Sequence, residues 1–247
     1  MTTVHVFIGP TLRQDEARLE LDAVVHPPAA VGDVYRVACG RPQAIGIIDG
    51  FFERTASVWH KEILWAMAEG VHVFGAASMG ALRAAELADY GMEGAGRIYA
   101  ALRSGEIVDD DEVAVAHASA DGGYRAISEA MVNIRATLTA AAEQSVISAH
   151  AQRELERLAK SLFYADRSYE RLLCDGLEAG LPKAEVQALR AWLRQGRTDQ
   201  KRQDAIELLR LMRDRLAQPL APKRVSYRFE HTQTWEMLRK RIAGQTG

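Results

Sequence analysis

Four short apolar runs, VHVFIG at 4–9, LDAVV at 21–25, AIGIID at 44–49 and VHVFGA at 71–76, alternate with helix-patterned stretches over the first 117 residues. Each runs out at or near Gly, Pro or Asp, as strand exits do. Nearly continuous apolar runs belong to strands buried on both faces, and helical connections let such strands run parallel. The pattern predicts a parallel sheet covered by helices. Between the last two runs, Trp59, Ile63, Leu64 and Met67 recur at helical spacing, with Ser57 as an N-cap and Gly70 past the end. A helix from Ser57 to Glu69 is therefore expected.

After the acidic stretch VDDDEV at 108–113 the strand-like runs stop and amphipathic patterns continue to the end. Leu155, Leu158, Leu162 and Phe163 form one stripe; Ile206, Leu209, Met212, Arg213 and Leu216 form another with a charged flank. Breaks fall at DGG (121–123), GLP (180–182), GRTD (196–199) and QPLAPK (218–223). The fold class is α/β: a parallel-sheet N-terminal core with helices over 1–120, then a largely α-helical half over 121–247. A helical layer packed on the core is favoured over a separately folding domain.

Composition narrows the function. With 31 basic and 33 acidic residues the formal charge is -2, so no overall field would hold nucleic acid or an anionic membrane. No stretch approaches the roughly 20 apolar residues of a membrane span, and MTTVHVFIGP lacks the basic start of a signal peptide. Cys39 and Cys174 lack CxxC spacing, which leaves a disulfide framework, a thiolate zinc site and a redox motif without support. A cytoplasmic protein without metal or cofactor is the expectation.

The chemistry concentrates in VHVFGAASMGALRAAE at 71–86, a strand, a small-residue turn bearing Ser78 between Gly75 and Gly80, and an alanine-rich helix. Such a turn can lift a serine oxygen clear of the backbone, although Ala76 breaks the full G-x-S-x-G pattern. Serine needs a partner to take its proton. Lys61, in the first turn of the preceding helix, fits if burial against Trp59 and Trp65 or the helix's positive end leaves some amine neutral. Its ordinary alternative is a solvated lysine paired with Glu62 or Glu69. The amides of Met79 and Gly80, at a helix start, are candidate oxyanion donors. Arg83, one turn on, could clamp a carboxylate or form a surface salt bridge. Asp49, at a strand end, could orient Lys61 or anchor a turn. The run Asp109-Asp110-Asp111-Glu112 could bind a cation or a basic partner, but a bare charge run is usually a solvated loop. The glycines of GMEGAGRIY (91–99) are spaced GxxGxG, the reverse of a dinucleotide fingerprint.

The segments FIGPTL, PPAAVGDVY, IGIIDGFFE, VWHKEIL, GAASMGALRAAEL, YGMEGAGRIY and DDDEVAVAH, spanning residues 4–117, closely resemble the TfuA-like family, partners of YcaO proteins in peptide backbone thioamidation. The resemblance implies a protein that helps an ATP-using YcaO enzyme replace a backbone amide oxygen with sulfur. It would hydrolyse a thiocarboxylated ThiS-type sulfur carrier to release sulfide. By motif the family's Ser-Lys pair falls on Ser78 and Lys61, and Asp49, His60, Glu62, Arg83, Asp110 and Glu112 lie inside the matching blocks. We assign Met79, Gly80, Asp49, His60 and Arg83 to oxyanion or supporting roles, and Glu62, Asp110 and Glu112 to partner binding. Two other readings stay open. One is a non-catalytic adaptor that increases the YcaO enzyme's affinity for its peptide substrate; the other is a generic serine esterase or amidase.

Overall fold

The computed structural model describes residues 3–52, 55–218 and 220–244. The chain divides into two compact units, residues 1–107 with 202–247 and residues 108–201.

The first unit is built on β1 (Val4–Phe7), β2 (Val24–His26), β3 (Ala44–Ile47), β4 (His72–Gly75) and β5 (Glu93–Gly94). All pair parallel in the order β2-β1-β3-β4-β5. The register runs Phe7 against Ile47 and Ile47 against Gly75, so the carboxyl ends of the three central strands are level. Helices α1 (Gln14–Glu20), α2 (Asp33–Ala38), α3 (His60–Ala68), α4 (Met79–Leu87) and α5 (Gly96–Ser104) follow the strands. The expected α/β architecture is what the chain adopts: three of the apolar runs each hold a strand inside them, and the run at 21–25 gives β2, which extends one residue past it to His26.

On one face of this sheet Val6, Ile8, Ala44, Ile48, Phe74 and Ala76 form a core with Ala205, Leu208, Leu209 and Met212 of α10 (Gln200–Leu216). These alternate strand positions point to one side. Gly46 is what lets α10 lie so close, because a Cβ there would stand 2.8 Å from Met212 Sδ. Asp204 of the same helix caps α5, its carboxylate accepting from the Ile98 amide at 2.7 Å. On the other face α2 packs on α3, and α3 and α4 pack on β4.

Beyond α10 the chain runs back along α3. Lys223 N donates to Gly70 O at 2.8 Å, the Tyr227 hydroxyl to Leu64 O at 2.7 Å, and the strap then enters α11 (Gln233–Ala243). Trp235 is fully buried there beside Tyr35 and Trp65, with ring centroids 5.2 and 5.9 Å away, and Leu238 and Ile242 complete the patch. Burying aromatic side chains of this size contributes a few kcal/mol each, so α11 is firmly seated.

The second unit is a ring of four helices, α6 (Met131–Glu143), α7 (Ala149–Ser161), α8 (Tyr169–Glu178) and α9 (Lys183–Gly196), each packed on the next and α9 on α6. Met131, Ile134, Leu138, Leu155, Leu172 and Leu189 fill its centre. The expected stripe through Leu162 and Phe163 stops short: α7 ends at Ser161, and Phe163 is 56% exposed. Among the described residues no helix is long and apolar enough to cross a membrane.

Candidate functional site

In an open parallel sheet the crevice outside the carboxyl ends of the strands, where the strand order reverses, is where ligands gather. Here the order reverses between β1 and β3. Asp49, two residues past β3, is buried, and its carboxylate is committed to the β1 exit. It accepts from the Gly9 amide at 2.8 Å, the Thr11 amide at 3.1 Å and the Thr11 hydroxyl at 2.6 Å. Of the two roles open to Asp49, these contacts are those of a turn anchor.

Ser78 sits at the exit of β4, immediately before α4. The turn is tight: Ser78 N donates to Ala76 O at 2.8 Å, an i to i+2 bond that makes a γ-turn centred on Ala77, whose φ is +66°. An alanine held at positive φ costs of order 1–3 kcal/mol, and strain of this kind collects at functional sites. A serine preceding a helix usually turns its oxygen onto the first-turn amides. Ser78 makes no such cap bond, and among the described residues nothing hydrogen-bonds its side chain, although the residue is only 6% exposed. The oxygen is thus held near the helix start and uncommitted.

Glycines set the closeness of this turn. A Cβ on Gly80 would lie 1.7 Å from Ile47 O, one on Gly75 would lie 2.2 Å from Gly80 O, and one on Gly50 would lie 2.7 Å from Met79 Cγ. The start of α4 therefore rests directly on the ends of β3 and β4. That contact uses one of the two expected oxyanion donors, since the Gly80 amide donates to Ile48 O at 3.2 Å. Gly80 is corrected from a donor to a packing residue. Among the described residues none accepts from the Met79 amide, which leaves it as the open donor beside Ser78.

Lys61 lies in the first turn of α3, at the same edge of the sheet, because α3 follows the carboxyl end of β3. Its Nζ donates to Thr232 Oγ1 at 3.1 Å and stands over the Phe229 ring, 5.3 Å from the centroid. Among the described residues no hydrogen bond joins Lys61 to Ser78. Thr232 is also the N-cap of α11, accepting from Trp235 N at 3.4 Å. Sequence reasoning missed Phe229 and Thr232 because nothing local marks residues so far along the chain as neighbours of Lys61.

His60 and Arg83 meet on one carboxylate. His60 Nε2 and Arg83 Nη1 each lie 2.7 Å from Glu86 Oε2, while Arg83 Nε donates to Val58 O at 3.0 Å and Nη2 to Ser57 Oγ at 3.4 Å. Burial acts to raise the Glu86 carboxyl, but the hydrogen bonds to His60 and Arg83 outweigh it and hold the group below its ordinary range. Arg83 thus fastens the lead-in of α3 to α4. Ser57 is not the expected N-cap; that position is Trp59.

Glu62 is fully buried, and a role in partner binding is corrected on that ground. Its Oε1 accepts from Trp59 N at 3.1 Å and its Oε2 from Tyr35 N at 3.2 Å, and Gly32 N also bonds it. One carboxylate therefore closes the N-termini of both α2 and α3. Burial pushes its pKa up to about 7, overriding those amides.

The acidic run belongs to the second unit. Glu112 is 4% exposed and takes Arg135 through two bonds of 2.9 and 3.0 Å, with Lys160 Nζ at 3.2 Å. Asp111 pairs with Lys160 and Arg167. Glu112 is accordingly corrected to an internal ion-pair partner, while Asp110 remains exposed.

Residues 49–168 match the family model described as TfuA-like protein. The match begins at Asp49 and includes Lys61, Ser78, Arg83 and Glu112, but not β1, β2, Phe229 or Thr232. No curated protein is significantly similar to the chain.

Proposed function

Because the chain belongs to the TfuA-like protein family, which is associated broadly with YcaO-type thioamidation, we propose that it hydrolyses the thiocarboxylate of a ThiS-type sulfur carrier and so supplies sulfide to a YcaO enzyme. Ser78 is the nucleophile. Its oxygen attacks the acyl carbon, hydrosulfide leaves, and water then cleaves the acyl-serine ester to the carboxylate. Over the cycle one water and one thiocarboxylate give one carboxylate and one hydrogen sulfide. The Met79 amide would hold the developing oxyanion at the start of α4, where the helix dipole favours negative charge. Lys61, released from Thr232, would take the serine proton. The observation that carries this reading is the uncommitted Ser78 oxygen on a strained γ-turn at the carboxyl end of β4.

A second reading has its own observation. Lys61 is bonded to Thr232 and the Gly80 amide to Ile48 O, an arrangement suited to an adaptor that docks a YcaO enzyme and raises its affinity for peptide without chemistry. Intact-mass analysis of thiocarboxylated carrier mixed with the protein separates the two. Loss of the thiocarboxylate with wild type, and not with Ser78→Ala or Lys61→Ala, supports hydrolysis. Equal rates for all three would leave the adaptor.

A further inference from the structure

A groove of about 480 Å³ in the first unit opens between α11 and the segment leading into α3. Its apolar walls include Val31, Trp59, Met237 and Leu238, and among the described residues Arg241 supplies its one charged side chain. Met237 is 57% and Trp59 37% exposed, a large apolar pair left in water beside an otherwise well-packed aromatic cluster. Tryptophan, methionine and arginine are the residue types that interfaces enrich.

Charge decides the occupant. Among the described residues Arg241 has no carboxylate partner. The acid on the same helix is already engaged, since Glu236 pairs with His231 and Arg239. An apolar cleft whose only charge among the described residues is an unpaired guanidinium matches a segment with apolar anchors followed by a carboxylate, because that arrangement fills the cleft and forks onto the arginine. We propose that this groove docks an acidic amphipathic helix of a partner protein, with apolar side chains against Met237 and Trp59 and a carboxylate on Arg241. The proposal stands apart from the chemistry of Ser78 and holds whether or not the chain is a hydrolase.

The probe is a short acetylated and amidated peptide with two leucines one helical turn apart and a glutamate one turn further, compared with its lysine counterpart by titration calorimetry. The glutamate peptide should bind wild-type protein, and Met237→Ser and Arg241→Glu should each weaken it about tenfold or more. Arg241→Glu should reverse the preference in favour of the lysine peptide. Both side chains are exposed, and circular dichroism confirms that the variants fold. The proposal is overturned if neither peptide binds, if both bind wild type alike, or if the variants bind as wild type does. It is equally overturned if the chain alone sediments as a dimer that Met237→Ser dissolves, because the groove then belongs to a second copy.

Discussion

Lys61 Nζ and Thr232 Oγ1 lie 3.1 Å apart although 171 residues separate them in the chain. For the proposed hydrolase the contact is a fork. While it stands, the amine is held by the strap that precedes α11; once it breaks, the amine is free to serve another oxygen. Thr232→Val removes the acceptor and also the N-cap of α11. The lost cap costs about 1 kcal/mol and should lower Tm by roughly 2–4 °C. If Lys61 is the base for Ser78, single-turnover loss of thiocarboxylate should nonetheless speed up, and the gain should vanish in Thr232→Val/Lys61→Ala. A rate that merely tracks the lower stability would remove Lys61 from the chemistry.

Glu62 makes stability depend on pH with an unusual sign. Burial pushes its carboxyl up to about 7 in the folded chain from an ordinary 4.5, so between those values the native state binds more proton than the unfolded one. Stability therefore falls as pH rises from about 4.5 to about 7 and is flat with respect to this group on either side, a total of roughly 3 kcal/mol. Glu62→Gln cannot titrate, and it offers one acceptor oxygen where the carboxylate offers two. Urea unfolding at pH 5 and pH 7.5 should show wild type losing markedly more stability across that interval than the variant does, with the variant less stable at pH 5. Parallel losses in the two proteins would mean that some other group governs the slope.

Much of this molecule is readable before folding, and the unreadable parts share a cause. The apolar runs at 4–9, 44–49 and 71–76 mark three strands because both their faces are largely buried, and the run at 21–25 marks the edge strand β2, where Val24 stays 47% exposed. β5, only Glu93–Gly94, has neither the length nor the composition to stand out. The start of α3 is displaced from Ser57 to His60 because distant groups settle it: Arg83 takes the Ser57 hydroxyl, and Glu62 closes the turn at Trp59. Met212 reads as the apolar face of a helix, but nothing in periodicity says that its partner is the gap left by Gly46. In the site, Ser78 is legible from the turn that carries it. The commitments of Lys61, Asp49 and Gly80 are not, since each depends on a group the local pattern does not contain.

In the second unit the bond between Glu112 and Arg135 should behave as a structural contact. The fork is nearly closed to water on the carboxylate side, with 5% of that side chain exposed against 38% of the arginine. Glu112→Gln leaves the Arg135 and Lys160 charges beside a neutral amide and should cost about 1–3 kcal/mol. Arg135→Lys should also be destabilising although it keeps the charge, because an ammonium cannot reproduce the two-bond geometry. Chemical denaturation of the three proteins checks this, and a neutral Arg135→Lys would show that charge alone suffices.

The glycines around Ser78 give the sharpest test of how the turn is built. Gly80→Ala would set a methyl 1.7 Å from Ile47 O and 2.6 Å from its carbonyl carbon, both backbone atoms of β3 that have no rotamer to change. Either the start of α4 lifts from the sheet or the strand end moves. The loss should exceed about 4 kcal/mol, beyond what most single substitutions cause. Gly105 is the proper contrast. It ends α5 at φ +78° with nothing within 4 Å of a would-be Cβ, so Gly105→Ala should cost only the roughly 1 kcal/mol of left-handed backbone. Thermal unfolding of the two variants measures the difference. A Gly80→Ala protein as stable as Gly105→Ala would mean that α4 does not rest on β3 as closely as Ile47 O requires, and the proposed nucleophile Ser78 would lose the rigid turn that the proposal relies on.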